Sequence, residues 1–326
     1  MAVTVAPRFV LGTVPTPLVR IESLERALGC PPLYVKRDDL IGFALAGTKT
    51  RLLEQLIADA VAQHCSVILT GGGSASSYCA GAAVAATAAG LRCVLVIYGN
   101  DAQPTHPNLA LARAAGADVR FTGTASRESV DTTLIRVEEE LREAGERPYP
   151  VPRGGATAIA ALGSARAAAE LDAQLSATGI DAGIVLVATG SGTTQAGLVA
   201  GAVAAGCSWR VVGASVSRPV ADAEAQVRRL AVECAALLGT ASAGTSHIDV
   251  RDARGPGYGI PSDAGERAAM VALHAAGLLL DPVFTAKAFA MLPALLAESG
   301  RRPIIFWHTG GIPVALAHLM SSESLV

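Results

Sequence analysis

The chain has 326 residues, 51% of them apolar, and a formal net charge of −2. That length allows two domains and a large core, and the balanced charge without a basic run argues against nucleic acid or an anionic membrane surface as partner. The apolar runs stop short of the ~20 residues of a membrane span, the N-terminus has no basic-then-apolar leader, and six scattered cysteines without a C-x-x-C pair offer neither a zinc site nor a disulfide framework, so a cytoplasmic, reduced setting is expected.

In chain order, the first predicted strand is Leu33–Lys36. Lys36-Arg37-Asp38-Asp39-Leu40 and Gly47-Thr48-Lys49 then lead into a predicted helix over Thr50–Gln63. Lys49 thus opens a helix directly after a glycine loop. The helix dipole there disfavours a protonated amine and favours a nucleophile or base. Arginine outnumbers lysine 23 to 3, the lysines being Lys36, Lys49 and Lys287. A GC-rich genome accounts for the bias, but a lysine that survives it is one that arginine does not replace. A Schiff base requires a primary amine that can lose its proton, which guanidinium cannot do. A solvated surface lysine is the competing reading.

Further strands are predicted at Ser66–Thr70, Arg92–Ile97, Asp118–Phe121, Gly183–Ala188, Arg210–Ser215 and Pro303–Trp307. Helices are predicted at Ser126–Glu143, Gly163–Leu175 and Ala264–Ala276. Strands without polar alternation, joined by helices, indicate parallel sheets covered on both faces. The turn-rich patch Arg147–Thr157 is the expected domain boundary. Three Gly-rich segments follow strands: Thr70–Tyr78, Ala188–Gln195 and His308–Gly311. A Gly/Ser/Thr loop opening a helix exposes unpaired N–H groups where a phosphate fits, and Gly190–Thr194 is the best such cup. It reads equally as a tight turn capped by a hydroxyl. Gln195 at the third glycine position weakens a dinucleotide fingerprint, and no Gly-Lys-Ser/Thr follows, which excludes a Walker A loop.

Taken together, VPTPLVRIESLERALG, YVKRDDL and AGTKTRLLE between Val14 and Glu54 resemble the pyridoxal phosphate (PLP)-dependent D-cysteine desulfhydrase and 1-aminocyclopropane-1-carboxylate (ACC) deaminase family. Ordered matches continue at Thr70–Gly73 with Ser76, Gly99-Asn100, Gly154-Gly155 to Gly163, Thr189–Thr194, Gly257-Tyr258-Gly259, Leu280–Lys287 and His308–Gly311. The resemblance implies the fold type II arrangement of two parallel-sheet, three-layer α/β domains. Residues 51–162 would form the smaller domain, and 1–50 with 163–326 the larger. It implies PLP on Lys49, with its phosphate on Thr189, Gly190, Ser191, Gly192, Thr193 and Thr194. Thr285 would face the ring nitrogen as a neutral hydroxyl, and Ser77 would lie beside the cofactor. Ser76 and Tyr258 would join Lys49 as catalytic residues, and Ser76, Ser77, Tyr78, Tyr258, Phe284, Thr309 and Gly310 would shape the substrate pocket. Competing local readings are an N-cap for Ser76 and Thr285 and a core tyrosine for Tyr258. The implied reaction is α-proton abstraction and β-elimination from a small amino acid, giving a 2-oxo acid and ammonia, in a homodimer. β-Replacement on the same scaffold, a PLP-binding protein with little catalysis, and a nucleotide-binding α/β protein are the alternatives. The sequence departs from the family at Thr48, Ser77, Tyr78 and Phe284, which puts substrate choice rather than cofactor binding in question.

Overall fold

The computed structural model describes residues 7–101, 105–240 and 247–321. Ten strands occur among them: β1 (Leu18–Arg20), β2 (Leu33–Arg37), β3 (Val67–Gly72), β4 (Arg92–Ile97), β5 (Asp118–Phe121), β6 (Pro148–Pro150), β7 (Ile184–Thr189), β8 (Arg210–Ser215), β9 (Asp249–Asp252) and β10 (Ile304–His308). They form a six-stranded sheet, β1-β2-β10-β7-β8-β9, and a four-stranded sheet, β5-β4-β3-β6. Every pairing is parallel except β1 with β2.

Both sheets are buried on two faces, which is why their central strands read as unbroken apolar runs. Val185, Val187, Ile305 and Trp307 pack on one side of the larger sheet, with Leu171 and Leu198 from the covering helices. Their neighbours Ile184, Leu186, Ile304 and Phe306 pack on the other, with Phe289 and Leu292. The smaller sheet alternates likewise, with Ile68, Leu95 and Ile97 on one face and Val67, Leu69, Val94 and Val96 on the other. This is the expected α/β architecture of three-layer units. No helix among the described residues is long and apolar enough to cross a membrane.

Three strands escape the sequence reading, and all three are edges: β1, β6 and β9. Edge strands are short and often polar or proline-bearing, so they lack the apolar run that reveals a central strand. β6 lies inside the patch expected to be a boundary. Pro148 and Pro150 pair with Val67 and Leu69, so the start of that patch is an edge strand of the smaller sheet. The helix expected at Gly163–Leu175 begins earlier, at Ala158, where the Thr157 hydroxyl accepts the Ala160 N–H at 3.2 Å.

A buried charge network locks the start of the helix Lys49–Ala62 against its surroundings. Arg51 makes two 2.9 Å bonds to Asp38 and two more to Glu170. Lys36, with no exposed surface, donates to Glu170 at 2.5 Å, Gln174 at 2.6 Å and the Thr16 carbonyl at 2.7 Å. Two cations thus face two carboxylates, with Thr16, Gln174 and Trp307 taking further hydrogen bonds, the condition under which buried ions are tolerated.

Candidate active site

Strands of both sheets end at one cavity of about 600 Å³. Gly71–Gly73 follow the body of β3, Gly190–Ser191 follow β7, and Thr309–Gly311 follow β10. The carboxyl ends of parallel strands are where loops and helix starts converge, which is why such sheets bind ligands there.

Lys49 is the first residue of its helix and lines this cavity. The loop before it is held by a close backbone approach. Gly47 has φ +57°, and a Cβ added there would lie 2.2 Å from the Thr309 carbonyl oxygen and 2.8 Å from the Gly310 Cα. The Thr48 N–H donates to that same carbonyl at 3.0 Å. Only glycine lets the two loops meet, and their meeting places Lys49 beside Thr309 and Gly310. Burial pushes the Lys49 amine down to about 8, and among the described residues it has no hydrogen bond or ion pair. The other two lysines are engaged. Lys36 belongs to the charge network. Lys287 donates to the Arg254 carbonyl at 2.6 Å and the Gly257 carbonyl at 2.8 Å, so it holds the loop that carries Tyr258.

The second wall is the start of the helix Ser77–Ala88. Ser76 caps it, accepting the Cys79 N–H at 3.2 Å, and still lines the cavity, so the cap and site readings of Ser76 hold together. Ser77 also lines it and accepts from the Asn108 side chain at 3.2 Å. The Tyr78 ring packs against Gly155, and burial pushes its hydroxyl pKa up. Among the described residues that hydroxyl makes no hydrogen bond within 3.5 Å, although the Thr70 hydroxyl is near enough to influence it.

The third wall is the loop Gly190–Gly192. Gly192 caps the helix Thr193–Ala205 at φ +87°, with no side-chain cap bond, leaving the first N–H groups of the helix unclaimed. Of the hydroxyls expected here, Ser191 and Thr194 line the cavity. Thr193 and Thr189 lie outside the lining: the Thr193 hydroxyl donates to the Gly155 carbonyl at 3.2 Å and lies 3.1 Å from the Ser191 hydroxyl, and Thr189 donates to the Gln195 side chain at 2.8 Å. Tyr258 and Phe284 both line the cavity and meet edge to face, centroids 6.0 Å apart. Burial raises the Tyr258 hydroxyl pKa. Thr285 is fully buried outside the lining, with its hydroxyl 2.7 Å from both the Asp281 N–H and the Asp281 carboxylate.

Asp281 is a wall residue that the sequence reading passed over. Its carboxylate accepts the N–H groups of Val283, Phe284 and Thr285 and the Thr285 hydroxyl, so it, rather than Thr285, caps the short helix Thr285–Phe289. Burial pushes its pKa up against the pull of these four donors. The D-P-V-F-T run carries a capping signal that could have found it. Tyr98, Arg127, Arg153 and Arg218 also line the cavity and went unseen, because nothing local marks residues so scattered in sequence.

The constellation fits an aldehyde cofactor bearing a phosphate: a partnerless amine of lowered pKa, an uncapped helix start behind a left-handed glycine, and room for a ring and a small substrate. Comparison with known proteins agrees. Residues 10–310 match the family model described as pyridoxal-phosphate dependent enzyme. The D-cysteine desulfhydrase of Salmonella typhi is 33% identical over 320 residues, covering 96% of each chain, and that of Salmonella newport (strain SL254) is as similar. Among solved structures, one described as an ACC deaminase homologue superposes with a TM-score of 0.87 at 30% identity, over 97% of this chain and 96% of that one.

Proposed function

Because the chain belongs to the pyridoxal-phosphate dependent enzymes, we propose that it is a lyase that eliminates the β-substituent of a small amino acid, releasing a 2-oxo acid and ammonia. The observation that carries this reading is the Lys49 amine, without a partner, at a pKa of about 8, in the wall of the cavity. Pyridoxal phosphate, when bound, supplies an electron-withdrawing ring that acidifies the substrate's Cα–H. Lys49 would hold it covalently. Displaced by the substrate's amine, Nζ would take the Cα proton, a task suited to a base poised near neutral pH.

The N–H groups opening the helix Thr193–Ala205, with Gly190, Ser191, Gly192 and Thr194, are our candidates for the phosphate. Thr193 and Thr189 would support that loop through their bonds to Gly155 and Gln195. Ser76 and Ser77, at the start of their helix, suit the substrate carboxylate, since a helix N-terminus favours an anion. Ser77 would also lie beside the cofactor. Thr285, backed by Asp281, is our candidate for the ring nitrogen. Tyr258 and Phe284 would close over ring and substrate, with Tyr78, Thr309 and Gly310 completing the substrate pocket. Residues 51–162 are proposed as the smaller of two domains, and the resemblance to the desulfhydrases supports a cytoplasmic homodimer, which light scattering on a sizing column tests. The decisive experiment is borohydride reduction followed by peptide mapping. The expected result is a pyridoxyl group on Lys49; recovery on Lys36 or Lys287 refutes the assignment. Release of a 2-oxo acid and ammonia in equal amounts tests the reaction.

A further inference from the structure

The cavity carries more positive charge than the proposed reaction needs. Four arginines line it: Arg127, Arg153, Arg218 and Arg229. Two are neutralised. Arg153 pairs bidentately with Asp131 at 2.7 and 2.8 Å, and Arg229 pairs with Glu233 at 2.8 Å. Arg127 and Arg218 have no carboxylate at ion-pair distance among the described residues. Arg127 lies over the Tyr258 ring, its guanidinium 3.7 Å from the centroid. The neighbouring Glu128 is engaged with the Ser126 hydroxyl at 2.8 Å. Arg218 donates to the Gly190 carbonyl and makes no ion pair with Asp222, the acidic group that most influences it. Burial first, then repulsion from Arg127 and Arg153, lowers the Arg218 pKa, so the three guanidiniums share one neighbourhood.

Neither surplus cation is placed for the cofactor phosphate. In a trans peptide the C=O and N–H point in opposite directions. Arg218, on the Gly190 carbonyl, therefore lies on the far side of that peptide from the Ser191 N–H. The Phe284 ring lies against Gly190, where an added Cβ would meet it at 2.9 Å; Tyr258 meets Phe284 edge to face; the Arg127 guanidinium lies over the Tyr258 ring. Two aromatic rings thus lie in sequence between Gly190 and Arg127. The substrate carboxylate already has the helix start at Ser76–Ser77.

Resting on the elimination reading above, we infer that Arg127 and Arg218 select an amino acid whose β-substituent is itself an oxyanion, a phosphate ester or a sulfonate. The Cα proton passes to Lys49, the Cβ–X bond breaks, and its electron pair leaves with X. One water then completes the balance: substrate plus water gives pyruvate, ammonia and HX. As X departs it gains negative charge, and the two guanidiniums in the cavity wall stabilise that charge more than they stabilise the bound substrate.

The test uses holoenzyme and both enantiomers of O-phosphoserine and cysteate as anionic substrates, with cysteine and β-chloroalanine as uncharged counterparts. The expected result is a kcat/KM at least about tenfold higher for one anionic compound, phosphate or sulfite release showing which oxyanion is preferred. Arg127→Gln and Arg218→Gln should each lower the anionic-to-neutral ratio by about ten- to a hundredfold, the range set by a charge-assisted bond. Binding of α-methyl-O-phosphoserine and α-methylcysteate, which have no α-proton to lose, is measured by calorimetry in the same proteins, with thermal melts to show that they fold. Equal or better turnover of the neutral compounds overturns the anion inference and leaves elimination standing. Absence of pyruvate from every compound overturns elimination itself, and the calorimetry then decides alone. A tenfold weaker binding of either anion in the variants supports the arginine site, and unchanged binding overturns it.

Discussion

Gly47 and Gly29 have nearly the same backbone conformation, φ +57° and φ +61°, yet they differ in what a side chain would meet. Nothing lies within 4 Å of a Cβ at Gly29, whereas a Cβ at Gly47 would sit 2.2 Å from the Thr309 carbonyl oxygen. Gly29→Ala should therefore cost only the left-handed conformation, roughly 1–2 kcal/mol. Gly47→Ala carries that cost, roughly 1 kcal/mol for the Thr48–Thr309 hydrogen bond it disturbs, and roughly 1–3 kcal/mol for forcing two backbones apart. The difference between the two variants should reach about 2 kcal/mol or more, equivalent to roughly 3 °C in the midpoint of thermal unfolding for a chain of this size. Because the clash lies at the Lys49 loop, Gly47→Ala should also lose cofactor absorbance on dialysis, and Gly29→Ala should keep it. Equal midpoints and equal cofactor retention would falsify the claim that this close approach sets the position of Lys49.

Lys49→Ala should abolish the covalent cofactor absorbance while the fold persists by circular dichroism. Lys287→Arg should keep the absorbance, and Lys36→Arg should keep it with a lowered unfolding midpoint, because Lys36 is fully enclosed by its three partners. Gly192→Val places a β-branched residue at φ +87° at the proposed phosphate cup and should weaken cofactor affinity by at least about tenfold in a fluorescence titration. A Gly192→Val protein that binds as tightly as wild type moves the cup elsewhere. In cofactor-free protein, Lys49 titrates at about 8 when folded and at its ordinary 10.5 when unfolded. Between those values the unfolded chain holds the extra proton, so stability rises with pH. Urea midpoints of wild type against Lys49→Met should show that rise from about pH 8 toward 10 in wild type alone; parallel curves refute the lowered pKa.

The sequence marks what is buried and periodic. Central strands such as Arg92–Ile97 and Arg210–Ser215 are visible because helices cover both their faces, which excludes polar residues. β6 is not visible, since an edge accepts Pro148 and Pro150 that a central strand would refuse. The same contrast holds in the site. Lys49, Ser76 and the Gly190–Thr194 loop stand out because chemistry and backbone conformation demand particular residue types at fixed spacing. The hydroxyls of Thr189 and Thr193 share that motif yet lie outside the cavity lining, engaged with Gln195 and with the Gly155 carbonyl and the Ser191 hydroxyl, and only the fold reveals it. Arg127 and Arg218 lie 91 positions apart in a chain full of arginine. No spacing rule could join them before the fold brought Tyr258 and Gly190 to the same cavity.

The engagement of Lys36 and Lys287 makes the protein unusually simple to an amine-selective reagent. Both ammonium groups are locked in the interior by carbonyl and carboxylate partners, and acylating either would first require breaking those bonds. Lys49, partly deprotonated near neutrality and opening on a cavity, is the side-chain amine left to react. A bound cofactor would occupy that nitrogen. The label found on the Lys49 peptide would then count vacant sites, so the fraction of working enzyme in a preparation could be read by peptide mapping without any knowledge of the substrate.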